Sequence, residues 1–151
     1  MNWAPAVSLG ARVFLLVVPL LTPLDPAAAH AAESGDFAGL VDIGGGRKMY
    51  LECRGSGSPL VVLVRGSAED WNIAEKQAPT VFAEVAKFTR VCAYDRPGTP
   101  VGEKPSRSDP VRQPTTAKDA ASNLHALLSA AKEPIPYVTV GHSYGGLVAK
   151  L

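Results

Sequence analysis

Apolar residues along the chain follow two periodicities. Short uninterrupted apolar runs predict strands, and apolar positions three and four apart predict helices. Residues 39–43 (GLVDI) and 48–53 (KMYLEC) are apolar-rich and flank Gly44, Gly45 and Gly46. Glycine supplies the positive φ that a tight reversal needs, so these segments read as a β-hairpin. Residues 54–59 (RGSGSP) read as a turn. The run LVVLV at 60–64 is uniformly apolar, as in a strand buried on both faces of a parallel sheet. A polar loop at 65–72 leads to a helical stretch with Val81, Phe82, Val85 and Phe88 at helical spacing. Residues 90–94 (RVCAY) form the next short strand, and a segment rich in Pro, Gly, Ser and Arg fills 95–114. At about 20 residues it exceeds ordinary connections, which marks it as functional, mobile or both. Thr116 opens the clearest helix. Asp119 lies three residues on, placed to reach back to the Thr116 amide in a variant of the capping box. Ala117, Ala120, Ala121, Leu124, Leu127, Leu128 and Ala131 make its apolar face, and Pro134 and Pro136 stop it. YVTV at 137–140 is a last strand, and a helix starts from Gly145. Strands alternating with helices after a hairpin imply an α/β fold, a mostly parallel sheet covered on both faces.

The amino terminus carries a different pattern. VFLLVVPLL at 13–21 follows Arg12 and precedes Ala27, Ala28, Ala29, His30 and Ala31. About nine apolar residues are too few to span a bilayer, which needs about 20. The A-x-A pattern around His30 places cleavage after Ala31, so residues 1–31 read as an export signal and 32–151 as the exported domain. The protein is then expected to be secreted, periplasmic or in the cell envelope, with no stable membrane insertion after cleavage. Removal of Arg12 and Asp25 takes one charge of each sign and leaves the formal net charge at +1. That balance argues against a nucleic-acid partner, which calls for a basic excess. The 46% hydrophobic composition excludes a wholly disordered chain. Cys53 and Cys92 allow one disulfide or two separate buried thiols, and no four-ligand zinc site.

Gly141-His142-Ser143-Tyr144-Gly145 matches G-x-S-x-G. The pentapeptide alone arises by chance in about one chain in twenty of this size, so the strand before it and the helix after it carry the weight. A turn this sharp strains its central residue and needs glycines two positions away on either side. Such a turn raises the Ser143 hydroxyl above the carboxyl edge of the sheet, and the Tyr144 N–H faces developing negative charge as an oxyanion donor. A dinucleotide-binding reading fails, because no G-x-G-x-x-G follows the first parallel strand.

The chain resembles the N-terminal half of an α/β-hydrolase fold protein. GHSYGG at 141–146 resembles that family's nucleophile elbow. LVVLVRGS at 60–67 resembles its first buried strand and oxyanion loop, and YDRPG at 94–98 resembles the loop after the next strand. The resemblance covers nearly all of the chain after residue 31. It implies hydrolysis of esters, amides, epoxides or related bonds on a small-molecule substrate, without cofactor or metal. It implies that the five strands here are the first of eight. It also sets the strand holding Cys92 beside the one ending at Cys53, which makes a bridge geometrically possible. The second oxyanion donor would be the N–H of Ser67. Two departures from the family stand out in this loop: Arg65-Gly66 replaces the common His-Gly, and the stretch 66–71 is short. A plain tight turn at Ser67 is therefore the competing reading. Serine rather than aspartate at 143 argues against the epoxide and dehalogenation chemistries, which the family runs with an aspartate nucleophile.

Serine is a weak nucleophile until a base takes its proton. In this fold the partners follow in the order Ser, Asp or Glu, His. The eight residues after Ser143 include none of these. His125 reads as surface or packing, and His142 as packing beside Ser143. Lys150 reads as solvated; Asp95 is the best candidate for a polar role near the mouth of the sheet, against a loop ion pair with Arg96 or a turn cap. The expected protein is thus an exported serine hydrolase present as a truncated chain, inactive alone because the acid and histidine of the triad lie elsewhere. The alternative is a catalytically inactive fragment or binding module from a broken hydrolase gene. Either way the last strand is expected to be an apolar edge that lowers solubility.

Overall fold

The structure, a computed structural model, describes residues 35–67 and 80–151. The expected signal and part of the loop at 65–72 lie outside these residues. Five strands form one mixed sheet in the order β1-β2-β4-β3-β5. The hairpin of β1 (Phe37–Asp42) and β2 (Lys48–Arg54) pairs Phe37 with Cys53 and Asp42 with Lys48. Gly44, Gly45 and Gly46 all take positive φ in its turn, as the sequence requires. β3 (Leu60–Val64) lies parallel to both β4 (Val91–Tyr94) and β5 (Tyr137–Gly141). β4 joins this parallel set to the hairpin by running antiparallel to β2.

Side chains alternate across the strands, so β3 and β4 each feed two cores. On one face Leu63 and Val91 pack with Phe82 from α1 (Val81–Val85). On the other, Val62, Val64, Cys92 and Tyr94 pack with Leu124, Leu127 and Leu128 from α2 (Ala117–Ala130) and with Val148 from α3 (Tyr144–Val148). Burying each such leucine contributes about 1.5–3 kcal/mol. The start of α2 is the capping box foreseen in the sequence: Asp119 N–H donates to Thr116 Oγ1 at 3.2 Å and Thr116 N–H donates to Asp119 Oδ2 at 2.8 Å. The helical spacing of 81–88 carries less than expected. α1 stops at Val85, and Phe88 is exposed beyond it.

Cys53 and Cys92 face each other across β2 and β4, and their sulfurs are bonded. A bridge between residues 39 positions apart stabilises by about 4 kcal/mol in the loop-entropy picture. Beside it lies a buried ion pair that the sequence did not announce. Arg90 donates from Nε to Glu133 Oε2 at 2.7 Å and from Nη2 to Oε1 at 2.8 Å. It fastens the start of β4 to the link between α2 and β5.

The segment 95–114 is tethered along β2. Tyr50 N–H donates to Ser108 Oγ at 2.9 Å, Lys48 N–H to Asp109 Oδ2 at 2.6 Å, and Asp109 N–H to Lys48 O at 2.9 Å. β5 lies at the other edge of the sheet with Val138 and Val140 exposed.

Candidate active site

The register between β3 and β5 ends at Val64 opposite Gly141. His142 N–H then donates to Val64 O at 3.1 Å, which extends the pairing by one residue before the chain reverses. Ser143 makes the reversal at φ 52° and ψ −126°, a region that a residue with a side chain rarely enters. Helix α3 starts at once: Gly145 N–H donates to His142 O at 2.8 Å, and Gly146 N–H to Ser143 O at 2.9 Å. The flanking glycines are sterically required. A Cβ on Gly141 would stand 2.6 Å from Gly145 O. A Cβ on Gly145 would collide with Val64 O and stand 2.7 Å from Arg65 O. At Gly146 the nearest atom would be 3.8 Å away, ordinary contact, so the third glycine has no such role. Ser143 is exposed at the carboxyl end of the sheet. Tyr144 is the first helical residue, where an N–H has no carbonyl within its own helix to bond.

The loop after β3 runs beside this elbow. Arg65 is buried, and its guanidinium donates to Pro100 O at 2.7 Å and Thr99 O at 3.3 Å. It therefore joins the loop at 65–67 to the loop after β4. Ser67 is exposed at the end of the described segment.

Asp95 and Arg96 follow β4 as neighbours in sequence but do not pair with each other. Asp95 binds Arg107, accepting from Nε at 2.7 Å and from Nη2 at 2.9 Å, and accepts from the Arg107 N–H at 3.0 Å. Burial pushes this carboxyl up, but the hydrogen bonds and charge of Arg107 outweigh it and hold the pKa below the ordinary carboxylate range. The expected pairing of Asp95 with Arg96 is therefore corrected: its ion-pair partner is Arg107. Arg96 turns the other way. Its Nη1 donates to Arg65 O at 3.1 Å, its Nη2 to Gly66 O at 2.7 Å and its Nε to Thr99 Oγ1 at 3.1 Å. Its guanidinium carbon lies 4.9 Å from the centre of the Tyr144 ring, within cation–π range. No local signal in the sequence selects Arg107 over Arg96 as the partner of Asp95. Tyr94 lies buried at the end of β4. Loss of water pushes its phenol up to about 12, with the charges of Arg96 and Arg65 pulling the other way, so it stays neutral at physiological pH.

Other polar groups considered in the sequence stand apart from the elbow or at its rim. His125 is exposed on α2, and Lys150 is exposed after α3. His142 is exposed beside Ser143. An open groove of about 710 Å³ runs between α2, β5 and α3, with Lys118, His125, Tyr137 and Val148 in its walls. Neither Ser143 nor Ser67 lines it. Cys53, Cys92 and Glu133 bring donor atoms within 4.8 Å of one another. The sulfurs are bonded together and Glu133 is bonded to Arg90, so this trio offers no thiolate ligands as it stands. Among the described residues, no helix is long and apolar enough to cross a membrane.

A β3–β4–β5 parallel core, a hairpin on its flank and a serine at a strained strand-to-helix elbow define a hydrolase-type α/β fold. The model of the alpha/beta hydrolase family matches residues 61–150, and the chain belongs to that family. No curated protein matches the sequence. Solved structures do. Est816, described as an N-acyl homoserine lactone degrading enzyme, is 25% identical with a TM-score of 0.57; the match covers 74% of this chain and 38% of that one. E-2-(acetamidomethylene)succinate hydrolase is 20% identical with a TM-score of 0.58, over 76% of this chain and 38% of that one. The Cif epoxide hydrolase from Acinetobacter nosocomialis is 24% identical with a TM-score of 0.55, over 79% of this chain and 34% of that one. The chain thus spans little more than a third of the length of these structures.

Proposed function

We propose that the chain is the nucleophile-bearing part of an exported serine hydrolase that cleaves an ester or amide bond in a small molecule. The observation that carries this reading is the elbow. Ser143 stands at positive φ between two glycines that no larger residue could replace, at the carboxyl end of a parallel sheet where ligands of such folds bind. In the proposed reaction Ser143 Oγ attacks the acyl carbon while a histidine takes its proton. The carbonyl oxygen becomes an oxyanion held by the N–H of Tyr144 and the N–H of Ser67. The histidine then protonates the leaving alcohol or amine, and water releases the acyl group by the reverse sequence. In this reading the acid and histidine lie outside residues 1–151. Serine at 143 favours an acyl substrate over an epoxide, and Est816, described as an N-acyl homoserine lactone degrading enzyme, is among the similar structures.

The export signal at 1–31 is part of the same proposal, and a disulfide between Cys53 and Cys92 supports an oxidising compartment. The second reading is a non-catalytic fragment or binding module. A fluorophosphonate probe separates the readings. The 151 residues alone are expected to label slowly, whereas the chain continued through an acid and a histidine labels rapidly and stoichiometrically on Ser143. Rapid labelling of the 151 residues overturns the claim that the base lies beyond them. Failure of the continued chain to label supports the binding module.

A further inference from the structure

We propose that Arg96 is a positioning residue that sets the direction of the second oxyanion donor and locks it to the first; the inference rests on the hydrolase reading above. A trans peptide unit is planar, and its C=O and N–H point in opposite directions. The carbonyl of Gly66 and the N–H of Ser67 belong to one such unit. Arg96 Nη2 holds that carbonyl at 2.7 Å, a short charge-assisted bond. While it does so, the Ser67 N–H points away from Arg96. Rotation of the 66–67 peptide, which would turn the donor away from the substrate, requires this bond to break.

The same guanidinium holds the other donor's residue. Nη1 binds the Arg65 carbonyl at 3.1 Å, and the face of the guanidinium lies over the Tyr144 ring. Gly145, the next residue, is packed so tightly on the Arg65 and Val64 carbonyls that a Cβ has no room. The loop at 65–67 is therefore clamped between Arg96 and the first turn of α3. Arg96 itself is fixed by Thr99 Oγ1 and is buried at 5% exposure, so the clamp is rigid rather than a mobile surface charge. A planar fork that binds two successive carbonyls and also stacks on a ring is a geometry that lysine cannot supply.

The test uses the protein carrying its acid and histidine, with p-nitrophenyl acetate as substrate and phenylboronic acid as a tetrahedral adduct-forming inhibitor. Arg96→Met is expected to lower kcat on the order of 100-fold, the cost of losing one oxyanion donor, with KM within about threefold of wild type. The inhibition constant of phenylboronic acid rises by a similar factor. Arg96→Lys, which retains the charge but not the fork, recovers part of both losses and carries the test if Arg96→Met does not fold. Ser143→Ala in the same protein distinguishes the two failures. If Ser143→Ala is inactive while folded Arg96 variants keep kcat and boronate affinity within about twofold, the positioning role is overturned and the hydrolase reading stands. If Ser143→Ala hydrolyses the ester as wild type does, the hydrolase reading is overturned, and the role of Arg96 with it.

Discussion

At the amino end of β4, Arg90 is bound to Glu133 and Cys92 to Cys53; at the carboxyl end, Asp95 is bound to Arg107 and Arg96 to the loop that approaches Ser143. Both ends are polar, cross-linked and largely buried, yet they differ in what the cross-links reach. Those at the amino end join elements already distant from Ser143: β2, β4 and the link after α2. At the carboxyl end Arg96 meets the elbow, whose own backbone is strained and whose glycines leave no spare volume. The fold's disulfide and its most buried ion pair both lie at the amino end of β4. Its strain sits at the opposite end, as expected when a reactive geometry must be held by its surroundings.

The contrast can be broken experimentally, starting at the elbow. Gly145→Ala forces a Cβ into Val64 O and is expected to cost on the order of 4 kcal/mol or more, with Ser143 displaced as a consequence. Urea unfolding checks the cost; a loss below about 1 kcal/mol would show that the elbow is looser than its packing indicates. At the opposite end, Glu133→Ala leaves the buried Arg90 without its carboxylate, for about 3–5 kcal/mol. In a catalytically competent protein this variant is expected to lower the melting temperature but to leave kcat/KM unchanged at temperatures where it is folded. A selective loss of kcat would erase the distinction between the two ends. Replacing both Cys53 and Cys92 by serine is expected to cost about 2–4 kcal/mol, again in melting temperature alone.

The smallest effect is the response of Asp95 to pH. Its folded pKa is depressed, so its contribution is complete above the unfolded carboxylate pKa and is lost as pH falls through the lower folded value. Wild type should therefore lose more stability than Asp95→Asn between about pH 5 and pH 2. Equal losses would show that the Arg107 pair contributes nothing to the carboxyl end.

Much of this architecture is legible in the sequence because its signals are local. Thr116 and Asp119 cap a helix within four residues, and Leu124, Leu127 and Leu128 mark its buried face. LVVLV reads as a buried strand by itself. The two required glycines lie within two residues of Ser143, so the elbow is also a local signal. The fasteners are not local. Arg90 and Glu133 are 43 positions apart, and nothing in either neighbourhood selects the other. Arg107 lies 12 residues beyond Asp95, while Arg96 is adjacent, and nothing local selects the farther one. Phe88 kept helical spacing with Phe82, but a helix that ends at Val85 cannot carry that spacing to the core. The role of Arg96 is legible only when the loop at 65–67 and the start of α3 are seen on either side of it.

The central claim is that the site holds Ser143 in a strained backbone for the sake of its hydroxyl. It is tested most directly by the urea unfolding free energy of Ser143→Gly. Strain at such a position costs about 1–3 kcal/mol, and glycine adopts it freely while losing about 0.5–1 kcal/mol through the entropy of the unfolded chain. The account predicts a variant more stable than wild type by about 1 kcal/mol and unreactive toward the fluorophosphonate. A Ser143→Gly protein less stable than wild type would contradict it.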